Sequence, residues 1–207
     1  MKNTKICLII LVTAIMFVTI AFAGCGGTSE ESALPDPADV QEETGADESE
    51  TSDTEYAGTA MDLLVNTIKM ANTALDEANA LPLLAVDAVT ADNSPAMLGL
   101  LADDFTSYIQ YAAVAIDETG DVAFQAAVLR CKNAGDTAMI EALIQENFDP
   151  GKWVFVFPDR ALTSVSRPYI LLAVGSVTEA DAVAAAFKEL VGGTPGTTVF
   201  YEGETGG

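Results

Sequence analysis

Apolar positions along this chain follow two periods. From 59 to 79, Met61, Leu64, Val65, Ile68, Ala71, Leu75 and Ala78 recur at helical spacing, which predicts an amphipathic helix ended by Leu81-Pro82. Ser94-Pro95 reads as an N-cap followed by proline in the first turn, opening a short helix to about Asp103. Tyr108–Ile116 and Val122–Cys131 are strand-like runs, and Asp117-Glu118-Thr119-Gly120-Asp121 between them suits a hairpin loop with glycine at the left-handed position. A helix is predicted over 136–148, with Ile140, Leu143, Ile144 and Phe148 on one face and Asp149-Pro150-Gly151 as its stop. Trp153–Phe157 is expected as a short strand, 158–168 as a connector and Tyr169–Gly175 as a buried strand. Thr178 with Asp181 resembles a capping box, opening a helix that buries Val183, Phe187, Leu190 and Val191 and ends at Gly192-Gly193. Thr197–Tyr201 completes the set as an edge strand, before a glycine-rich tail.

The order is helix, then β-β-α, then (β)-β-α, so the two later parts read as a weak structural repeat. The expected fold class is α+β: an antiparallel sheet of three to five strands with helices packed on one face, preceded by an N-terminal helix. Such a sheet leaves its other face to solvent or a partner. Residues 58–207 form one domain of ordinary size, with its core over about 96–191.

The first residues follow a different logic. Lys2 and Lys5 precede an apolar stretch from Ile6 to Phe22, and small residues lead to a cysteine in Ala21-Phe22-Ala23-Gly24-Cys25. That is the layout of a secretory signal. Its last five residues resemble the bacterial lipobox, with Phe22 where an aliphatic residue is usual. The resemblance implies that 1–24 is a lipoprotein signal peptide, that cleavage frees Cys25, and that lipid on its sulfur holds the protein at the extracytoplasmic face of the cell membrane. Several acyl chains give stable anchoring, at about 0.8 kcal/mol per buried methylene. Cys7 leaves with the signal and Cys25 takes lipid, so Cys131 is left without a disulfide partner.

Charge separates the tether from the domain. All 31 acidic residues follow Cys25, as do 7 of the 9 basic ones, so the mature chain carries a formal charge of −24. Nucleic acid and anionic headgroups are repelled by such a surface. Residues 28–57 hold eleven acids and no base, so 25–57 is expected as a disordered acidic linker spanning about 30 Å.

The chain has no histidine, which removes imidazole acid–base chemistry and the commonest transition-metal ligand. No phosphate loop or Gly-x-Ser-x-Gly elbow is present. Asp117, Glu118 and Asp121 on one loop are candidate calcium ligands, although the loop lacks the EF-hand pattern; the alternative is a solvated acidic turn. Asp103-Asp104, if it faces Asp117 or Glu118 across the fold, would supply the carboxylate pair a glycosidase needs; the two aspartates, adjacent and pointing apart in regular structure, are not themselves that pair. Cys131, between Arg130 and Lys132, is either an activated thiol or an inert core residue. Arg160 and Arg167 are candidates for an anion site or for local salt bridges. No cofactor is implied.

Asp103-Asp104-Phe105-x-x-Tyr108, then Ala126-Ala127-Val128-Leu129, Trp153, Pro158-Asp159-Arg160, the apolar strand 169–174 and Ala186-Phe187 resemble, in that order, the short bacterial lipoproteins called domain of unknown function 4358. That resemblance covers 96–191, and the family brings no catalytic residue with it. The expectation is a non-enzymatic, membrane-anchored lipoprotein acting as an interaction or accessory module for an envelope protein partner, through the open sheet face or the 158–168 connector. The alternative is a small-ligand or Ca2+-binding lipoprotein.

Overall fold

The computed structural model describes residues 56–192 and 195–203. The signal segment, Cys25, the acidic stretch up to 55 and the Gly193 helix stop lie outside the described residues. Five helices and six strands follow one another as α1 (Ala60–Ala74), β1 (Leu84–Val89), α2 (Ser94–Leu98), α3 (Ala102–Tyr108), β2 (Ile109–Asp117), β3 (Gln125–Cys131), α4 (Thr137–Asn147), β4 (Arg160–Ser166), β5 (Tyr169–Gly175), α5 (Val177–Val191) and β6 (Gly196–Glu202). The class is α+β. The strands form one antiparallel sheet in the order β1-β2-β3-β5-β4-β6.

Six strands exceed the expected three to five, because two were hidden in the sequence. The run Leu-Ala-Val-Asp-Ala-Val of β1 is short and partly exposed, as an edge strand is. β4 lies inside the supposed connector, where Arg160, Thr163, Ser164 and Ser166 mask the strand signal. Thr163 is nevertheless buried, because its hydroxyl donates to Glu141 Oε1 at 2.6 Å and accepts from Gln145 Nε2 at 2.8 Å, both on α4. A buried polar group is tolerated when it is paired in this way.

Helices cover both faces of the sheet, not one. On the first face α1 and α5 pack over Ala113, Ala126, Val128, Leu162, Leu171 and Ala173. On the second, α4 and the α2–α3 segment pack over Val114, Ala127, Leu129, Ile170, Leu172 and Val174. Alternate residues of β3 and β5 thus enter opposite cores, which is why both strands are apolar throughout. Among the described residues the central strands are covered on both faces, and only edge strands such as β6 stay largely exposed. The β-β-α order does recur, but α4 and α5 go to opposite faces, so the two halves are not arranged as copies.

Local signals explain most boundaries. Thr59 and Asp62 form a capping box at the start of α1. This helix stops at Ala74, short of the expected 79; Leu75 is extended, and Asp76 caps a single 3-10 turn over Glu77–Asn79. Ser176 and Glu179 cap α5, in place of Thr178 and Asp181. The helix from Ser94 breaks at Gly99, which adopts φ +73°, and restarts as α3. Gly120 sits at φ +72° in the β2–β3 hairpin, as its loop position requires. Among the described residues, no helix is long and apolar enough to cross a membrane.

Candidate interaction surface at one end of the sheet

Asp117, Gln125, Gly175 and Arg160 mark one end of the sheet, where the 118–124 hairpin loop and the 149–159 loop meet. Trp153–Phe157 belongs to this second loop. It is a bent segment, not the expected strand. Pro150-Gly151 before it and Pro158 after it interrupt regular structure on both sides, and those residues were the available warning.

Phe155 is 93 % exposed, Val154 77 % and Phe157 68 %. Leu83, whose carbonyl accepts from Glu118 N at 3.0 Å, is 69 % exposed beside the hairpin. Val122 and Val177 add further exposed apolar surface at the same end. A cleft of about 380 Å³ lies between the two loops and the start of α5, lined by Val122, Ala123, Val156 and Phe157 together with Asp121, Asp159, Ser176 and Glu179. Isolated exposed hydrophobics are ordinary; a contiguous group marks a contact surface.

Lys152 fastens the loop from beneath. Its Nζ donates to Ala96 O at 3.1 Å and to Gln125 Oε1, and lies 4.8 Å and 4.9 Å from the ring centroids of Phe148 and Trp153. Gln125, fully buried, passes the connection on by donating Nε2 to Met97 O at 2.6 Å. Burial pulls the Lys152 pKa down to about 8, against the opposing pull of the Asp149 carboxylate. No signal in the sequence marks this lysine, because nothing in its neighbours shows that two aromatic rings and a buried amide converge on it.

The residues singled out from sequence fare differently. Asp117 is committed to its own loop: its carboxylate accepts from Thr119 N, Thr119 Oγ1 and Val122 N at 2.9–3.2 Å. Burial works to raise its pKa, but these hydrogen bonds outweigh it and hold the carboxyl below its ordinary value. Glu118 and Asp121 do not join it; among the described residues no group of three carboxylate or thiol side chains is placed to hold a metal ion. Asp103 and Asp104 lie in the first turn of α3, and the nine-residue strand β2 separates that helix from Asp117. Arg160 pairs with Asp181 at 2.8 Å and Glu202 at 2.9 Å, tying β4 to α5 and β6 rather than opening an anion site with Arg167.

Cys131 is buried, and burial first, then the Asp136 carboxylate, pushes its thiol up to about 12. Both effects disfavour the thiolate that nucleophilic chemistry needs. Iodoacetamide at pH 8 is expected to leave Cys131 unmodified in the folded protein and to label it fully in denaturant; labelling of the folded state at the rate of a free thiol is the contrary result.

A second concavity, of about 600 Å³, lies between α1 and α5 and is lined by Asn66, Lys69, Met70, Thr73, Ala74 and Leu190. It presents mixed aliphatic and polar groups without a convergent polar set. Comparison with known proteins finds no family model, no curated protein and no solved structure that matches this chain.

Proposed function

We propose that this is a lipid-anchored extracytoplasmic protein, held at the membrane through Cys25, that works by contact rather than catalysis. The observation that carries this reading is the grouping of exposed apolar residues at one end of the sheet. The chain joins the domain at the other end. Tyr56, the first described residue, packs there through a hydrogen bond of 2.7 Å from Asn66 to its hydroxyl, and its carbonyl accepts from Tyr169 OH at 3.4 Å. Tyr169 begins β5 and Gly175, at the loop end, closes it, so seven residues, roughly 20 Å of strand, separate attachment from contact surface. A domain tethered at one end and apolar at the other is suited to reaching an envelope component. The resemblance of residues 21–25 to a lipobox supports the same placement.

Two measurements test the reading separately. Metabolic labelling with an alkyne palmitate analogue is expected to tag the protein, and Cys25→Ser to abolish the tag; unchanged labelling of the Cys25→Ser protein removes the anchor. A photo-crosslinking amino acid placed at Phe155 in cells is expected to trap a discrete species that the same group at exposed Lys69 does not trap. Identical capture from both positions removes the contact surface.

A further inference from the structure

We propose that the 153–157 loop and its cleft receive a basic amphipathic segment of a protein partner, whose apolar side chains cover Val154, Phe155 and Phe157 and whose lysines or arginines face Asp121 and Asp159. This rests on the contact surface described above and names the chemistry of what fills it.

Charge supplies the argument. Asp121, Asp159 and Glu179 line the cleft beside Val122, Val156 and Phe157, and Glu118 and Asp149 stand on the same end of the sheet. The two cations at this end are already engaged. Lys152 lies under the loop, bonded to Ala96 and Gln125, and Arg160 is paired with Asp181 and Glu202. The charges lining the cleft are therefore of one sign, beside an exposed apolar loop. A complementary surface must carry apolar groups and positive charge together. The mature chain's charge of −24 works against anionic lipid, and the attachment at Tyr56 lies at the far end of the sheet, so a bilayer is the poorer fit. The cleft volume of about 380 Å³ admits one or two large side chains, which is the scale of an anchor residue in a peptide groove.

The probe is a fluorescein-labelled 14-residue amphipathic peptide of leucine and lysine, with its leucine–glutamate counterpart, added to the purified full chain. Binding is read by anisotropy and by the emission of Trp153, the single tryptophan of the protein. The lysine peptide is expected to bind at least about tenfold more tightly than the glutamate peptide, to weaken with salt and to shift Trp153 emission to the blue. The double variant Phe155→Ser/Phe157→Ser, which leaves net charge unchanged, is expected to weaken it by about tenfold or more, and so is Asp121→Lys/Asp159→Lys. A control at two other exposed positions, Met61→Ser/Met139→Ser, is expected to change it less than about twofold. Unchanged melting temperatures keep these comparisons interpretable, as expected for exposed sites. Equal binding by the Phe155→Ser/Phe157→Ser protein means attraction by overall charge and overturns the proposal. Quenching of Trp153 by zwitterionic vesicles with brominated acyl chains, without a peptide response, assigns the loop to the bilayer and also overturns it. Unchanged palmitate labelling of the Cys25→Ser protein, with peptide binding intact, removes only the anchor.

Discussion

Replacing Gly99 by alanine is expected to cost about 2–5 kcal/mol and to lower the melting temperature by roughly 5–15 °C. Two effects add. Gly99 adopts φ +73°, where an L side chain costs about 1–2 kcal/mol. A Cβ there would also lie 2.5 Å from Phe148 N and 2.7 Å from Asn147 C, both backbone atoms that cannot turn aside. Overpacking of that kind costs about 1–3 kcal/mol. Gly99→Asn separates the two terms, because asparagine tolerates the left-handed region but keeps the Cβ. Thermal melts should show Gly99→Asn nearly as damaged as Gly99→Ala; recovery of most of the loss would mean that the approach of α2 to the end of α4 is not what demands glycine. The junction matters beyond stability, since it sets Ala96 and Met97 where Lys152 and Gln125 reach them.

The second large effect is a dependence of stability on alkaline pH centred on Lys152. Its folded pKa, about 8, lies below its unfolded value of 10.5. Between these values the unfolded chain binds the proton and the folded chain does not, so stability rises with pH across that window. Below pH 8 the folded state carries the full cost of a partly desolvated ammonium, on the order of 2 kcal/mol after discounting for partial exposure. Lys152→Met should therefore flatten the curve of melting temperature against pH from 8 to 10.5 relative to the native chain. Trp153 gives a local readout. With the ammonium 4.9 Å from its ring, its emission should titrate with a midpoint near pH 8, and the transition should vanish in Lys152→Met. Parallel pH profiles for the two proteins would show that Lys152 ionises as it does in water.

The elements with one strong period were legible in the sequence. β5 is apolar throughout and was read to its last residue; α4 was read within one residue at each end from its spacing and its Pro-Gly stop. What failed did so where tertiary context overrides local pattern. β4 is polar at alternate positions, yet neighbours on both sides bury it, and its threonine is satisfied by α4. Trp153–Phe157 has strand composition but no strand to pair with. The mistaken open sheet face follows from the same gap: apolarity on both sides of β3 and β5 implies a second layer, and the α2–α3 segment that helps supply it was read as one short helix. Of the candidate contact surface, the aromatic run and the acidic hairpin were each visible in the sequence separately. Their meeting, and the lysine beneath, depend on a sheet order in which β3 lies beside β5.

The pairing of α1 with α5 has a consequence for how the domain comes into being. These are the first and last helices of the domain, and together they close one face of the sheet. A chain emerging from its N-terminus can form the β2–β3 hairpin and settle α1 on it once β3 is out, whereas α4 packs mainly on β4 and β5, which follow it. The part of the first face over β4 and β5 stays uncovered until residue 191 is out, so the flank of α1 that meets α5 waits, apolar, for nearly the whole domain to arrive. That interval, rather than the finished fold, is when this protein is most in need of a chaperone.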